Sequence, residues 1–429
     1  MRKLLKRSGL VLVLVIGACS ALPETGDIDQ VPEEEGIPTV TFPTPTPEAE
    51  EGAPTSLQIW LPEELNPADG SAAADLLITR LAEFEQRHPG LRINVRIKSI
   101  DGPGSLMAAL ESANEAAPLA LPDIVAMPHT ELAASVDSDL LYPLDDLLVA
   151  ADDTDWYGYA QQMGQVSSAT YGLPLSGDAL ILAYRQNIIE QAPADWETAL
   201  TVEGPLVFPA ADPQALFPLT LYQSLGGNLL DENGEATITP EVLQTVLGFF
   251  ETSQRANLMP FWLTQFDNNP SAWNEFTENR ANLAVTWWTQ FLATEDDEHA
   301  AAPLPTQSGE PYTYVRGWVW ALTSPDEEQR ILSVELMEFL TEAEFMAGWT
   351  AAAGVLPPRP SALAAWPEGP TAALASQISP AAQLLPNAEI LGELGPVFSE
   401  ASIAVLKQEA NAETATEQAL EALGAEVLP

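Results

Sequence analysis

Leu91-Arg-Ile-Asn-Val-Arg-Ile-Lys98 alternates Leu91, Ile93, Val95 and Ile97 with Arg92, Asn94, Arg96 and Lys98. That is the period of a half-buried strand. Upstream, Ala72 to His88 carries Leu76, Leu77, Leu81 and Phe84 at helical spacing, and Pro89-Gly90 stops it. Before it, Leu57-Gln-Ile-Trp60-Leu-Pro62 reads as a short apolar strand ended by proline. Downstream, a helical stretch from Gly104 to Ala116 leads to a further strand, Pro122-Asp-Ile-Val-Ala-Met127. Strand, helix, strand, helix, strand argues for an open α/β sheet with crossover connections. Ligand crevices in such sheets lie at the carboxyl ends of the strands, which points to Leu61 to Glu63 and to Met127 to Thr130.

Further out, the N-terminus has Arg2, Lys3, Lys6 and Arg7 before an apolar run, Leu10 to Ile16, and then Gly17-Ala18-Cys19. This is the plan of a secretory signal over residues 1–18. The run is shorter than the roughly 20 residues that a spanning helix needs. Small residues before a cysteine resemble a bacterial lipobox, so Cys19, the single cysteine in the chain, is the expected lipidation site and the only expected link to the membrane. Multiple acyl chains give stable anchoring. Residues 19–55 are rich in Pro, Glu and Thr and include Thr41-Phe-Pro-Thr-Pro-Thr-Pro47 without any Lys or Arg. Such a segment buries too little apolar surface to fold and reads as a disordered, extended tether.

With 62 acidic against 16 basic residues the net charge is −46, and removing the signal makes the chain more acidic still. Such a surface repels phosphates, and no basic patch with interleaved aromatics occurs, so nucleic acid is excluded as a partner. About 370 residues follow the tether, more than one core usually serves, so two lobes are expected. No second linker intervenes, so the lobes should be joined by several chain crossings.

A family resemblance rests on ordered short motifs. Tyr171-Gly-Leu-Pro174 with Asp178-Ala-Leu-Ile-Leu-Ala-Tyr184-Arg-Gln-Asn187, Pro193-Ala-Asp-Trp196-Glu, Leu225-Gly-Gly-Asn-Leu-Leu-Asp-Glu-Asn-Gly234, Trp273-Asn-Glu-Phe276 with Ala281-Asn-Leu-Ala-Val-Thr-Trp287, and Arg316-Gly-Trp318 resemble segments of extracellular solute-binding proteins, family 1. Those are the carbohydrate-binding components of ABC importers. Asn279-Arg280 stands where the family often has Gly-Lys, and Arg316 where it has a first Gly. The resemblance implies an α/β, two-lobe periplasmic-binding-protein-like fold of type II, similar to maltose-binding protein, with a cleft between the lobes and several crossovers. Lobe 1 would take residues 56–184 and 306–345, and lobe 2 residues 185–305 and 346–429. Crossings are expected after the strand Ala179 to Tyr184 and near Pro303-Leu-Pro305.

The implied activity is capture of a small solute by hinge closure and delivery to ABC permease subunits, by a monomer on the extracellular face of the membrane or in the periplasm. Eleven tryptophans suit a sugar, whose C–H face packs on an indole while its hydroxyls need polar partners. Trp287, Trp288 and Trp318 are the expected stacking groups, and Asp178, Gln290, Arg316 and Asp123 the expected polar ones, with Glu63 at a strand's carboxyl end. Adjacent Trp287 and Trp288 cannot face the same way on one strand, and Trp318 and Trp320 share a face. Asp123 also fits a capping role before its strand, and Arg316 a pair with one of the many carboxylates. The rival readings are a secreted carbohydrate-active enzyme and a polyamine or cation carrier. No Gly-x-Ser-x-Gly, His-Glu-x-x-His or P-loop occurs, and His88, His129 and His299 are scattered, so neither catalytic residues, metal nor cofactor is expected. At the C-terminus, helices are expected over Pro396 to Glu409 and Ala412 to Gly424, packed on the second lobe.

Overall fold

The computed structural model describes residues 55–424 except 101, 103, 150–153 and 295–297. The expected signal, Cys19 and the tether to residue 54 therefore lie outside the described residues. The strands in chain order are β1 Ser56–Pro62, β2 Arg92–Lys98, β3 Ile124–Pro128, β4 Gln165–Val166, β5 Ala169–Thr170, β6 Gly172–Arg185, β7 Leu206–Val207, β8 Leu283–Trp287, β9 His299–Ala302, β10 Thr313–Leu322 and β11 Ala382–Leu384. β4 and β5 pair with each other, and the rest form one mixed sheet ordered β2-β1-β3-β10-β6-β8-β7, with β11 on β10 and β9 on β6.

The opening unit folds as its periodicity dictates. β1 lies parallel between β2 and β3. The intervening helix, Ala72–Arg87, is capped by Ser71, whose Oγ accepts from the Ala74 amide at 3.1 Å. Its buried face is Ala74, Leu77, Leu81 and Phe84, whereas Leu76, expected inside, is exposed. At Gly90 the chain turns at φ +95°, a left-handed conformation that glycine adopts without strain.

β10 runs antiparallel to both β3 and β6. Alternate residues of β3 feed two cores on opposite faces of this half of the sheet: Val125 and Met127 join Val315, Val319 and Leu356, while Ile124 and Ala126 join Leu173, Trp320 and Leu340. A third core gathers Leu182, Val207, Phe250, Leu283 and Phe398. The first two define one lobe and the third the other. β6 belongs to both lobes. Every residue in it but Tyr184 is buried, the near-continuous apolar run of a strand covered on both faces. Its first half pairs with β10, and from Leu180 onward it pairs with β8 and β9.

The chain also crosses between Trp287 and Trp288, between Tyr314 and Val315, and between Leu384 and Leu385, because each pair splits between the third core and the first-lobe core that contains Val125 and Met127. The crossing expected near Pro303-Leu-Pro305 is not there, since Leu304 is buried in the second lobe's core. Residues 346–384, expected in the second lobe, belong with the first. Trp349, Leu356, Leu363 and Leu374 pack into its cores, Leu356 bridges Gly177, and β11 pairs with β10.

The last helices do pack on the second lobe, where Phe398 and Leu420 join Phe250. The first of them begins at Ala388 rather than Pro396. Asn387 supplies the cap, accepting from the Ile390 amide at 2.9 Å, and Pro396 sits inside the helix. The final helix, Ala412–Ala422, starts after Asn411, whose side chain accepts from the Thr414 amide at 2.8 Å.

Candidate functional site

The carboxyl ends of the parallel strands in the two lobes face one point. In the first lobe, β3 ends at Pro128, opposite Trp318 of β10, so Arg316 lies just past that end. In the second lobe, β8 runs parallel to β7 and ends at Trp287, opposite Leu180 of β6. Asp178 and Arg316 are direct partners in the β6–β10 register between these ends. A crevice at such a convergence is the expected ligand site of an open α/β sheet.

Asp178 is buried and fully engaged. Arg316 Nε and Nη2 donate to its Oδ2 at 3.1 and 2.9 Å. Thr289 adds its amide to Oδ1 and its hydroxyl to Oδ2, each at 3.0 Å. Burial pushes the Asp178 carboxyl above its usual range, opposed by the charge of Arg316 and by these hydrogen bonds. The Arg316 guanidinium also lies 3.9 Å over the Trp287 ring, yet its side chain is 48% exposed. Beside it, Gly317 is required by close packing: a Cβ there would fall 2.2 Å from the Ser176 carbonyl oxygen. The Gly317 amide donates to His129 Nδ1 at 3.2 Å. Burial lowers the His129 pKa, which favours the neutral ring.

The remaining expected contacts divide. Trp318 is partly buried and packs with Trp320 against the same first-lobe core, as their shared strand face requires. Glu63 is exposed in the turn after β1. Gln290 is half-buried, with Oε1 3.4 Å from Thr286 Oγ1.

Three expectations are corrected. Trp288 starts the helix Trp288–Leu292 rather than continuing the strand. It is 1% exposed, and its indole donates to the Gly354 carbonyl at 3.1 Å, so it is core. Trp287 is buried in the second lobe, with one ring face under Arg316 and its edge on a cavity of about 30 Å³ beside Asp212 and Phe217. Asp123 precedes β3, at the amino end of the strand and away from the crevice. Its oxygens accept from the Gln58 amide at 2.8 Å and the Ser324 hydroxyl at 2.6 Å, so it ties two loops together.

Sequence reading missed Thr289, which holds Asp178. A hydroxyl just after a strand's carboxyl end was the available signal. His129 lay within the stretch singled out, although its partner across the sheet was not legible. Among the described residues, no group of three or more His, Cys, Asp or Glu side chains could hold a metal ion.

A mixed sheet shared by two lobes, whose strand ends meet at the Asp178–Arg316 pair, is that of a solute-binding protein of the maltose-binding-protein-like two-lobe type. Residues 79–375 match the family model described as bacterial extracellular solute-binding protein. That is more than half of the chain, and the protein belongs to this family.

Similar solved structures include the cyclic alpha-maltosyl-1,6-maltose binding protein from Arthrobacter globiformis, at 17% identity and TM-score 0.72, covering 86% of this chain and 98% of that one. The sugar-binding protein MalE from the phytopathogen Xanthomonas citri gives 18% and 0.68 with the same coverage. The maltose-binding periplasmic protein MalE from Listeria monocytogenes, in complex with maltose, gives 14% and 0.68, over 87% and 97% of the two chains. No curated protein matches the sequence. The family and these neighbours are binding proteins, and the family is extracellular. No helix among the described residues is long and apolar enough to cross a membrane.

Proposed function

We propose that this chain is the solute-capturing subunit of an ABC importer and that its ligand is a mono- or oligosaccharide, bound between the lobes and enclosed by hinge closure. The observation that carries this reading is the meeting of both lobes' strand ends at Arg316, whose half-exposed guanidinium stands on the same strand face as Trp318, two residues on. Ligand contacts are assigned to Arg316, Trp318, Gln290 and Glu63. Asp178 and Trp287 act behind Arg316. The names of the structural neighbours, several of which bind maltose or its oligomers, support the ligand class.

The protein works as a monomer without catalysis, held at the outer membrane face by lipid on Cys19 and presented to permease subunits by the tether. Isothermal titration of the chain from residue 20 against neutral sugars, acidic sugars and polyamines tests the ligand class. A saturable 1:1 heat with a sugar is expected; heat from spermidine with none from any sugar would overturn the reading. Mass spectrometry of the mature N-terminus tests the anchor, which fails if the terminus is unmodified and downstream of Cys19.

A further inference from the structure

We infer that the solute carries a carboxylate, as a uronic-acid-containing saccharide does, and that Arg316 is the residue selecting it; this rests on the carbohydrate reading above. Asp178 takes only the Nε–Nη2 edge of the guanidinium, and Trp287 covers one face. The end-on fork, one N–H from Nη1 and the second from Nη2, remains open on a side chain that is 48% exposed. Two parallel N–H groups in a plane match the two oxygens of a carboxylate.

The fork is held in place before any ligand arrives. The Arg316 backbone is fixed in the β10–β6 register. Its side chain is pinned by Asp178, which Thr289 orients in turn, and by stacking on the Trp287 ring. A donor serving a neutral diol alone gains little from a permanent cation. Burial of the Asp178 carboxylate is offset by Arg316 and the two Thr289 hydrogen bonds, so the pair holds the guanidinium without taking its outer fork. Asp178 balances the formal charge of Arg316, so in a chain with 16 basic residues against 62 acidic ones the preference for a carboxylate rests on the two open N–H groups of the fork.

The test compares three probes on the chain from residue 20 by isothermal titration: trigalacturonate, its methyl ester and maltotriose. Trigalacturonate is expected to bind at least about tenfold more tightly than the ester, as loss of a charge-assisted hydrogen bond implies, and its affinity should fall as salt is raised. R316Q should remove the acid-over-ester preference, while R316K, keeping charge without the fork, should keep part of it and all of the salt dependence. Melting temperatures of both variants establish that they are folded, and the salt response of the unmodified protein stands if R316Q is not. Equal binding of acid and ester, or tight binding of maltotriose without the acid, would overturn this inference and leave the carbohydrate reading intact. Heat from none of the three, nor from other sugars, would overturn both.

Discussion

Trp287 and Trp288 are neighbours in the chain, yet their rings enter the cores of different lobes: Trp287 joins Leu283 and Phe250, and Trp288 joins Ile181 and Leu356. The peptide bond between them is thus one of the points at which the lobes are joined. Asp178 reaches the same place from β6 through Thr289, and Arg316 reaches it from β10. One ion pair and one hydroxyl residue therefore tie together three of the crossing segments.

Trp288 bears on stability rather than on ligand contact. W288A removes a fully buried ring and leaves the Gly354 carbonyl without its donor, so a loss of about 3–5 kcal/mol is expected. Urea unfolding measures it. A loss below about 1 kcal/mol would mean that the ring is not the core piece described.

For Asp178, substitution should act through Arg316. D178N keeps the shape but takes away the charge that pins the guanidinium, and should lower stability by about 1–3 kcal/mol while weakening ligand binding. Calorimetric titration beside a denaturation curve reads both quantities. Unchanged affinity in a folded D178N protein would separate Arg316 from the ligand.

Asp123 supplies the contrasting case. In D123N the side-chain oxygen can still accept from the Gln58 amide while the Ser324 hydroxyl must turn from donor to acceptor, and loss of two hydrogen bonds to a charged acceptor gives an expected cost of about 1–3 kcal/mol. Because Asp123 sits at the amino end of β3, ligand affinity should stay at the unmodified value. A stable variant with weakened binding would return this residue to the site.

Stability should rise as the pH is lowered from neutral. Burial raises the pKa of Asp123, Asp178 and Asp212, so between the ordinary carboxylate value and their raised values the folded chain holds more protons than the unfolded one. Stability linked to these groups therefore falls as pH rises through that window. Relief of self-repulsion in a chain of net charge −46 acts in the same direction. Two sets of groups oppose this rise: His129, whose pKa burial lowers, takes up its proton more readily in the unfolded chain as pH falls through the ordinary histidine range, and further acidification reverses the trend because Asp195, Asp231 and Glu275 are held below their usual values by hydrogen bonds. Thermal melting across pH should show a maximum on the acid side of neutral; a steady decline from pH 7 downward would contradict this balance.

Much of the first lobe was legible because local periodicity sets it. The alternation at 91–98, the helical spacing around Leu81 and the Pro89-Gly90 stop each act within a few residues. The crossings were harder, because whether Leu304 or Tyr314 ends a visit to the second lobe depends on partners far away in sequence. Residues 346–384 show the same limit: Leu356 meets Gly177, and no local signal marks that. At the site, the residue types were legible and their roles were not. Asp178 and Arg316 were both singled out, but that they bind each other follows from a register that the sequence does not display.

The most direct test is a crystal structure of the protein with a bound acidic oligosaccharide. The expected result has the sugar between the lobes, its carboxylate on the free fork of Arg316 and a ring near Trp318. A sugar lodged instead in the cavity of about 720 Å³ lined by Phe84, Trp156, Leu173 and Phe339 in the first lobe, with the Arg316 crevice empty, would contradict the account.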